Sequence, residues 1–174
     1  MAITVYFSDN FDNLNAWTRK PGNSSAYVSN NMLSFGADNS DGDIFSTQTF
    51  THGYVNFAYR GTAGTEGGGY FGISTGYPGN HFWVAGTSSS LYAPIDLIND
   101  GKLHRIRIEI DSAAVGAPVH IMFQQFANAT PGMFSFANLT VTDVAPVPEP
   151  ETYAMMIAGL GLLGISIRRK QVTK

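Results

Sequence analysis

Aromatic and hydrogen-bonding side chains are concentrated in a glycine-rich third of the sequence, between residues 70 and 92. The rings could stack on the C–H faces of sugars, while amide and imidazole groups could hold the hydroxyls. Strand alternation would send some of these rings into a hydrophobic core, so core packing is the competing interpretation. The residues that we predict to form a sugar-binding site are Tyr77, Asn80, His81, Trp83 and Tyr92.

Two carboxylates alternate in Glu109-Ile110-Asp111, and this spacing would place both on one face of a strand. Such a pair could act as acid and nucleophile on either side of a glycosidic bond. No further Glu follows within three residues, and Arg105 and Arg107 share the same face, so we favour a solvent-exposed charge ladder. We therefore predict no catalytic residues and no enzymatic activity, with a glycoside hydrolase as the least favoured alternative.

A second motif, Gly72-Ile73-Ser74-Thr75-Gly76, matches the G-x-S-x-G pattern of a nucleophile elbow. That elbow requires a strand that leads directly into a helix, because this connection exposes the serine. Strand-like, glycine-rich segments flank the motif here. The pattern therefore predicts a hairpin turn.

The composition is typical of an all-β protein with tight turns. The 174-residue chain has 19 Gly, 13% aromatic and 13% charged residues, no Cys, and a formal net charge of −3. Because phosphate contacts need clustered Lys and Arg, this balance argues against nucleic acid as a partner. The lack of Cys excludes disulfides, thiolate nucleophiles and Cys-ligated zinc.

Short alternating segments between turn signals predict an all-β, antiparallel β-sandwich over residues 1–144. The clearest strand is 103–111, in which Ile106, Ile108 and Ile110 would face the core while charged residues face water. The predicted strands are 3–7, 26–28, 32–35, 43–45, 48–51, 54–60, 70–74, 81–85, 103–111, 119–126 and 134–141.

Three segments of different composition follow the predicted sandwich. Residues 145–152 form a Pro-rich linker, residues 153–167 carry no charge, and residues 168–174 are basic. A helix of about 15 residues is about 22 Å long, short of a hydrocarbon core of about 30 Å, so a buried core helix competes with a transmembrane anchor. We favour a short C-terminal transmembrane helix with a cytoplasmic basic tail, because positive charges stop translocation. The predicted stop-transfer residues are Arg168, Arg169 and Lys170.

Residues 147–170 resemble a PEP-CTERM sorting signal, with a Pro-Glu-Pro motif, an apolar run and a basic end in that order. The resemblance implies processing by an exosortase, a transpeptidase-like membrane enzyme, which would recognise the region around Pro148, Glu149 and Pro150. It also implies a Gram-negative bacterium that makes exopolysaccharide, transit through the inner membrane, and delivery to the cell surface, envelope or biofilm matrix. Residues 1–9 lack the features of a secretory signal peptide, so we expect that the start of the protein is missing.

Residues 8–17, 101–108 and 136–143 resemble strands of the concanavalin A-like jelly-roll superfamily. This resemblance implies a structural Ca²⁺ held at Asp9, Gly42 and Asp143, and ordinary turn capping by Asp is the alternative. We expect no other cofactor. Because many unrelated functions share this fold, two roles stay open for the sandwich. We favour a structural or interaction module, and the alternative is a carbohydrate-binding module that uses the aromatic cluster.

Overall fold

Alternating apolar residues build two packed β-sheets. The computed structural model describes residues 3–20, 25–36, 44–63, 68–87, 93–125 and 132–144. These residues contain one short 3-10 helix, Ser112–Ala114, and twelve strands. The strands are β1 (Val5–Asp9), β2 (Trp17–Arg19), β3 (Ala26–Ser29), β4 (Met32–Phe35), β5 (Ile44–Phe50), β6 (His52–Gly61), β7 (Gly69–Ser74), β8 (His81–Gly86), β9 (Ile95–Asp96), β10 (His104–Asp111), β11 (Val119–Gln125) and β12 (Phe134–Thr142).

Each sheet has six strands. Sheet 1 has the order β10-β6-β12-β4-β3, and β1 pairs with the remaining free half of the β12 edge. Sheet 2 has the order β2-β5-β11-β7-β8-β9, in which β8 and β9 are parallel and the other pairs are antiparallel. The predicted all-β sandwich is therefore confirmed.

Strand β10 follows the predicted alternation. Ile108 and Ile110 are buried and Ile106 packs against the core, whereas Arg105 and Arg107 are exposed. All eight residues of β10 pair with β6, so this edge strand is held along its full length.

Aromatic side chains from both sheets meet in the core. Phe123 of sheet 2 lies 4.4 Å from Phe136 of sheet 1 between ring centroids, and Phe57 of sheet 1 stacks on Phe71 of sheet 2 at 4.7 Å. Each such pair contributes about 0.5–1.5 kcal/mol beyond the burial of its surface. These contacts join the two sheets, so the outer face of each sheet is positioned by the same core.

Contacts within the chain define two units, Met1–Val144 and Ala145–Lys174. The second unit lies outside the described residues, and so do the linker, anchor, basic tail and C-terminal helix that the sequence predicts. Within the part of the chain that the structure describes, no helix has the length and apolar character needed to cross a membrane.

Candidate functional site

The hairpin between β7 and β8 presents an exposed tyrosine. Two hydrogen bonds between Thr75 and Asn80 close the hairpin. The Thr75 amide donates to the Asn80 carbonyl over 3.1 Å, and the Asn80 amide donates to Thr75 Oγ1 over 2.9 Å. Gly76 has φ of +107°, a conformation that side chains rarely adopt, so glycine is required at that position. The turn leaves Tyr77 with 50% of its surface exposed. The G-x-S-x-G motif thus lies in a hairpin, as predicted.

A surface pocket of about 320 Å³ lies between this hairpin and strands β2, β5 and β11. Tyr77 forms part of its wall, and Lys20 Nζ lies 5.8 Å from the centre of the Tyr77 ring, within the range of a cation–π contact. The described lining residues are Thr18, Arg19, Phe45, Ser46, Thr75, Gly76, Tyr77, Pro78 and His120.

Polar groups from separate strands converge on this pocket. His120 Nδ1 lies 2.6 Å from the Ser46 carbonyl oxygen. A carbonyl oxygen can only accept a hydrogen bond, so Nδ1 of His120 carries the hydrogen and donates it. The other ring nitrogen, Nε2, lies near Gly76 on the pocket side. Arg19 donates one N–H to the Ala26 carbonyl, and its guanidinium carries further donors. The pocket thus combines an aromatic wall with hydroxyl, imidazole and guanidinium groups.

A row of stacked rings continues across the outer face of sheet 2. Phe45 and His81 stack with centroids 5.5 Å apart, and His81 and Trp83 stack with centroids 6.4 Å apart. Phe45 lies on β5 and His81 on β8, with β11 and β7 between them, so their strands are about 14 Å apart. The two side chains must therefore lean toward each other across the middle strands. They cover Met122, which is fully buried.

The absence of a side chain at Gly72 leaves room for the row of rings formed by Phe45, His81 and Trp83. A Cβ at Gly72 would lie 2.5 Å from the Phe82 carbonyl oxygen, 3.0 Å from Met122 Cε and 3.2 Å from Trp83 Cε3. No side chain fits there without displacement of β8 or of the Trp83 ring. Tyr70 completes the row from the other side, with its ring centroid 5.8 Å from that of Trp83.

The predicted sugar-binding residues fall into two groups in the structure. Tyr77 and Asn80 are exposed in the hairpin, whereas His81 and Trp83 are half-buried in the ring row. Tyr92 lies outside the described residues. Sequence reasoning missed the opposite wall of the pocket, whose members come from β2, β5 and β11 and lie far from the hairpin in the chain. The missed residues of this wall with polar or aromatic side chains are Thr18, Arg19, Phe45, Ser46 and His120.

The residues of the predicted calcium site are not brought together by the described part of the fold. Asp9 lies opposite Leu139, whereas the Asp143 amide donates to the carbonyl of Thr4 at the other end of β1. Five residues of strand separate the two positions by about 16 Å. Gly42 lies outside the described residues.

Both carboxylates already accept hydrogen bonds from the protein. Asp9 accepts from the Phe11 amide over 2.7 Å and from Trp17 Nε1 over 2.6 Å. Asp143 accepts a hydrogen bond from the Thr4 amide over 2.9 Å. Hydrogen bonding by Thr4 lowers the pKa of Asp143. Among the described residues, no group of three His, Asp or Glu side chains could hold a metal ion. Turn and strand capping accounts for both carboxylates.

The alternating carboxylates of β10 lie on the outer face of sheet 1. Glu109 Oε1 accepts from Tyr54 Oη over 3.3 Å and lies 3.3 Å from His52 Nε2, while Asp111 accepts from the Ala113 amide and caps the 3-10 helix. Both are exposed on the same face as Arg105. This arrangement matches the predicted charge ladder.

Comparison with known proteins adds the family context. Residues 146–170 match the model of the PEP-CTERM protein-sorting motif, which includes Pro148, Glu149, Pro150, Arg168, Arg169 and Lys170. No curated protein matches the chain in sequence.

Solved structures with the same fold share little sequence with this chain. A mutant of a family 29 carbohydrate-binding module has a TM-score of 0.56 and 13% identity, with 84% of this chain and 100% of that chain covered. The K3 adhesin domain of Lys-gingipain from Porphyromonas gingivalis W83 has a TM-score of 0.50 and 11% identity, with 80% and 100% covered. At these identities the likeness establishes the fold alone. The chain thus combines a jelly-roll β-sandwich, of the architecture seen in carbohydrate-binding modules, with a C-terminal PEP-CTERM protein-sorting motif.

Proposed function

We propose that this protein is an exported polysaccharide-binding module that holds a sugar in the pocket beside Tyr77. The observation that carries the proposal is the combination of a half-exposed Tyr77 ring with hydrogen-bonding groups of three other strands in one pocket. A pocket of about 320 Å³ has the size of a small-molecule site and can take one or two sugar rings.

The chemistry of the pocket suits a sugar. The Tyr77 ring offers an apolar face to sugar C–H groups, and Thr18 and Thr75 place hydroxyls on the lining. His120 Nε2 provides an acceptor, while Arg19 provides donors. These groups stand on strands and on a closed hairpin, so little ordering is needed on binding.

The sorting motif supports a location outside the cytoplasm. It implies export and handling by an exosortase-type enzyme in the membrane, followed by delivery to the cell surface or the extracellular space. In that location a binding module would meet envelope or matrix polysaccharide. The solved neighbour named as a carbohydrate-binding module gives independent support for this ligand class.

A structural role without sugar binding is the second candidate. It is favoured by Phe45, which has only 3% of its surface exposed because the neighbouring rings cover it. In this case the ring row would serve only to pack the outer face of sheet 2. Binding measurements on the hairpin separate the two roles.

The test is a glycan array with the purified full-length chain, followed by calorimetry with the best oligosaccharide. Tyr77→Ala should weaken binding by about twofold to tenfold, because one stacking ring contributes about 0.5–1.5 kcal/mol. Tyr6→Ala is the matched control, since Tyr6 is 45% exposed and does not line the pocket. An array without any hit, or equal affinity of the Tyr77→Ala and Tyr6→Ala variants, would refute sugar binding at this pocket.

A further inference from the structure

The outer face of sheet 1 carries a basic patch that is separate from the hairpin pocket. Arg105 and Arg107 point outward from β10, and Arg60 points outward from the neighbouring strand β6. Alternate residues of a strand are about 7 Å apart, and neighbouring strands are about 5 Å apart, so all three guanidinium groups can reach one bound molecule. We call Arg60, Arg105 and Arg107 the arginine face.

A floor of small, buried side chains lies beside the arginine face. Arg105 pairs with Ala58, and Ala58 pairs with Ala137 on β12. Ser135 of β12 pairs with Ser34 of β4. All four of these small side chains are buried, whereas the arginine side chains beside them are exposed. The arginine side chains therefore form the surface that a ligand would meet here.

A pocket of about 240 Å³ opens where this floor meets Arg60. Arg60 and Ser135 line it together with Gly61, Thr62 and Phe134, and none of its described lining residues is acidic. The arginine face thus includes a cavity as well as an open surface. The cavity offers a guanidinium group to an anionic substituent.

Glu109 of β10 contacts two side chains of the neighbouring strand β6. Tyr54 Oη donates to Glu109 Oε1, and His52 Nε2 lies 3.3 Å from the same oxygen. The guanidinium of Arg107 lies over the Tyr54 ring, 5.3 Å from its centre. The Tyr54 ring therefore supports the Arg107 side chain.

We propose that the arginine face binds an acidic polysaccharide, whose uronate carboxylates pair with Arg60, Arg105 and Arg107. Guanidinium and carboxylate groups form charge-assisted, bidentate hydrogen bonds. The arginine face holds three of the six basic residues in the sandwich, which also contains eleven acidic residues. Duplex DNA carries one charge per about 1.7 Å and would meet this acidic surround, whereas a polyuronate has only one charge per sugar. The site is independent of the hairpin pocket on the opposite sheet.

The experiment measures binding of the full-length chain to polygalacturonate and to a neutral mannan by calorimetry at low and high salt. The variant Arg60→Gln/Arg105→Gln/Arg107→Gln should bind polygalacturonate about tenfold more weakly, and 0.5 M NaCl should weaken wild-type binding in the same direction. Binding to mannan should stay the same. The single variant Arg107→Gln, expected to weaken binding about twofold to threefold, provides the answer if the triple variant does not fold.

Controls on the opposite face separate this proposal from the proposed function. Tyr77→Ala should leave the salt-sensitive binding of polygalacturonate unchanged, even if it removes binding of neutral sugar. Equal affinity of wild type and arginine variants for polygalacturonate would overturn the proposal. So would tighter binding to a DNA duplex than to polygalacturonate, because the arginine face would then serve nucleic acid.

Discussion

The two outer faces of the sandwich are built by the same strand alternation but carry opposite chemistry. The outer face of sheet 2 holds stacked rings and the hairpin pocket, with Phe45, His81 and Trp83 leaning over the middle strands. The outer face of sheet 1 holds small residues at its centre and the charged residues of β10 at one edge.

This difference shows that cross-strand neighbours decide what a sheet face can bind. On sheet 2, Gly72 removes a side chain and allows rings from strands three positions apart to meet. On sheet 1, small buried residues stand beside each other at Ala58 and Ala137, and the exposed side chains at the edge are the arginines of β10. One face therefore suits stacking, and the other suits charge pairing.

The largest effect should come from the core that both faces share. Phe123→Ala removes the ring that packs on Phe136, Phe71 and Trp17. We expect a loss of about 3–5 kcal/mol in the free energy of unfolding, because a large buried ring leaves a cavity. Urea unfolding measures this loss, and both binding activities should fall together. Phe82→Ala, at a ring 41% exposed, is the control and should cost far less. Similar losses of unfolding free energy in the two variants would show that burial of the Phe123 ring is not the source of the effect.

An intermediate effect should be confined to sheet 2. Gly72→Ala places a methyl group 2.5 Å from the Phe82 carbonyl oxygen, so β8 or the ring row must move. We expect about 1–3 kcal/mol of destabilisation from overpacking, with weaker binding at the hairpin pocket and unchanged binding at the arginine face. Gly36→Ala is the matched control, since the nearest atom to its new methyl group is 3.5 Å away. Thermal unfolding and parallel calorimetry measure both quantities, and a Gly72→Ala variant as stable as Gly36→Ala would contradict the role of Gly72.

The smallest effect should be confined to sheet 1 and should depend on pH. Asp143→Asn weakens the clamp on Thr4 that holds the start of β1. Hydrogen bonds from Thr4 lower the pKa of Asp143, so its contribution is complete above the ordinary aspartate pKa of about 3.9 and is lost as pH falls through the lowered value. We expect the Tm of the variant to be about 1–2 °C lower at pH 7 and the difference to shrink as pH falls below about 3.9. A Tm difference that does not shrink on acidification would show that the charge is not the cause.

The sequence predicted local features well. Regular alternation identified β10, and the turn residues identified the β7–β8 hairpin that carries Tyr77. These features depend on residues close together in the chain, where periodicity and turn chemistry act.

Features that depend on pairing between distant strands could not be predicted from the sequence. The sequence predicted two strands, 43–45 and 48–51, where the structure has the single strand β5. Ser46 Oγ accepts a hydrogen bond from the Ile121 amide and donates one to the Gln48 carbonyl. These bonds hold β5 together where its pairing with β11 is interrupted by a bulge. The walls of both candidate sites likewise follow from sheet register, which brings together residues such as Arg19 and Tyr77. No local pattern contains that information.

The position of β12 has a mechanical consequence. It is the last strand before Val144, and it lies between β6 on one edge and β4 with β1 on the other. A pull applied along the chain at Val144 therefore loads two antiparallel ladders lengthwise, so their hydrogen bonds share the load. An edge strand in the same position would be peeled away bond by bond. Tension at Val144 would thus be resisted by partners on both edges of β12.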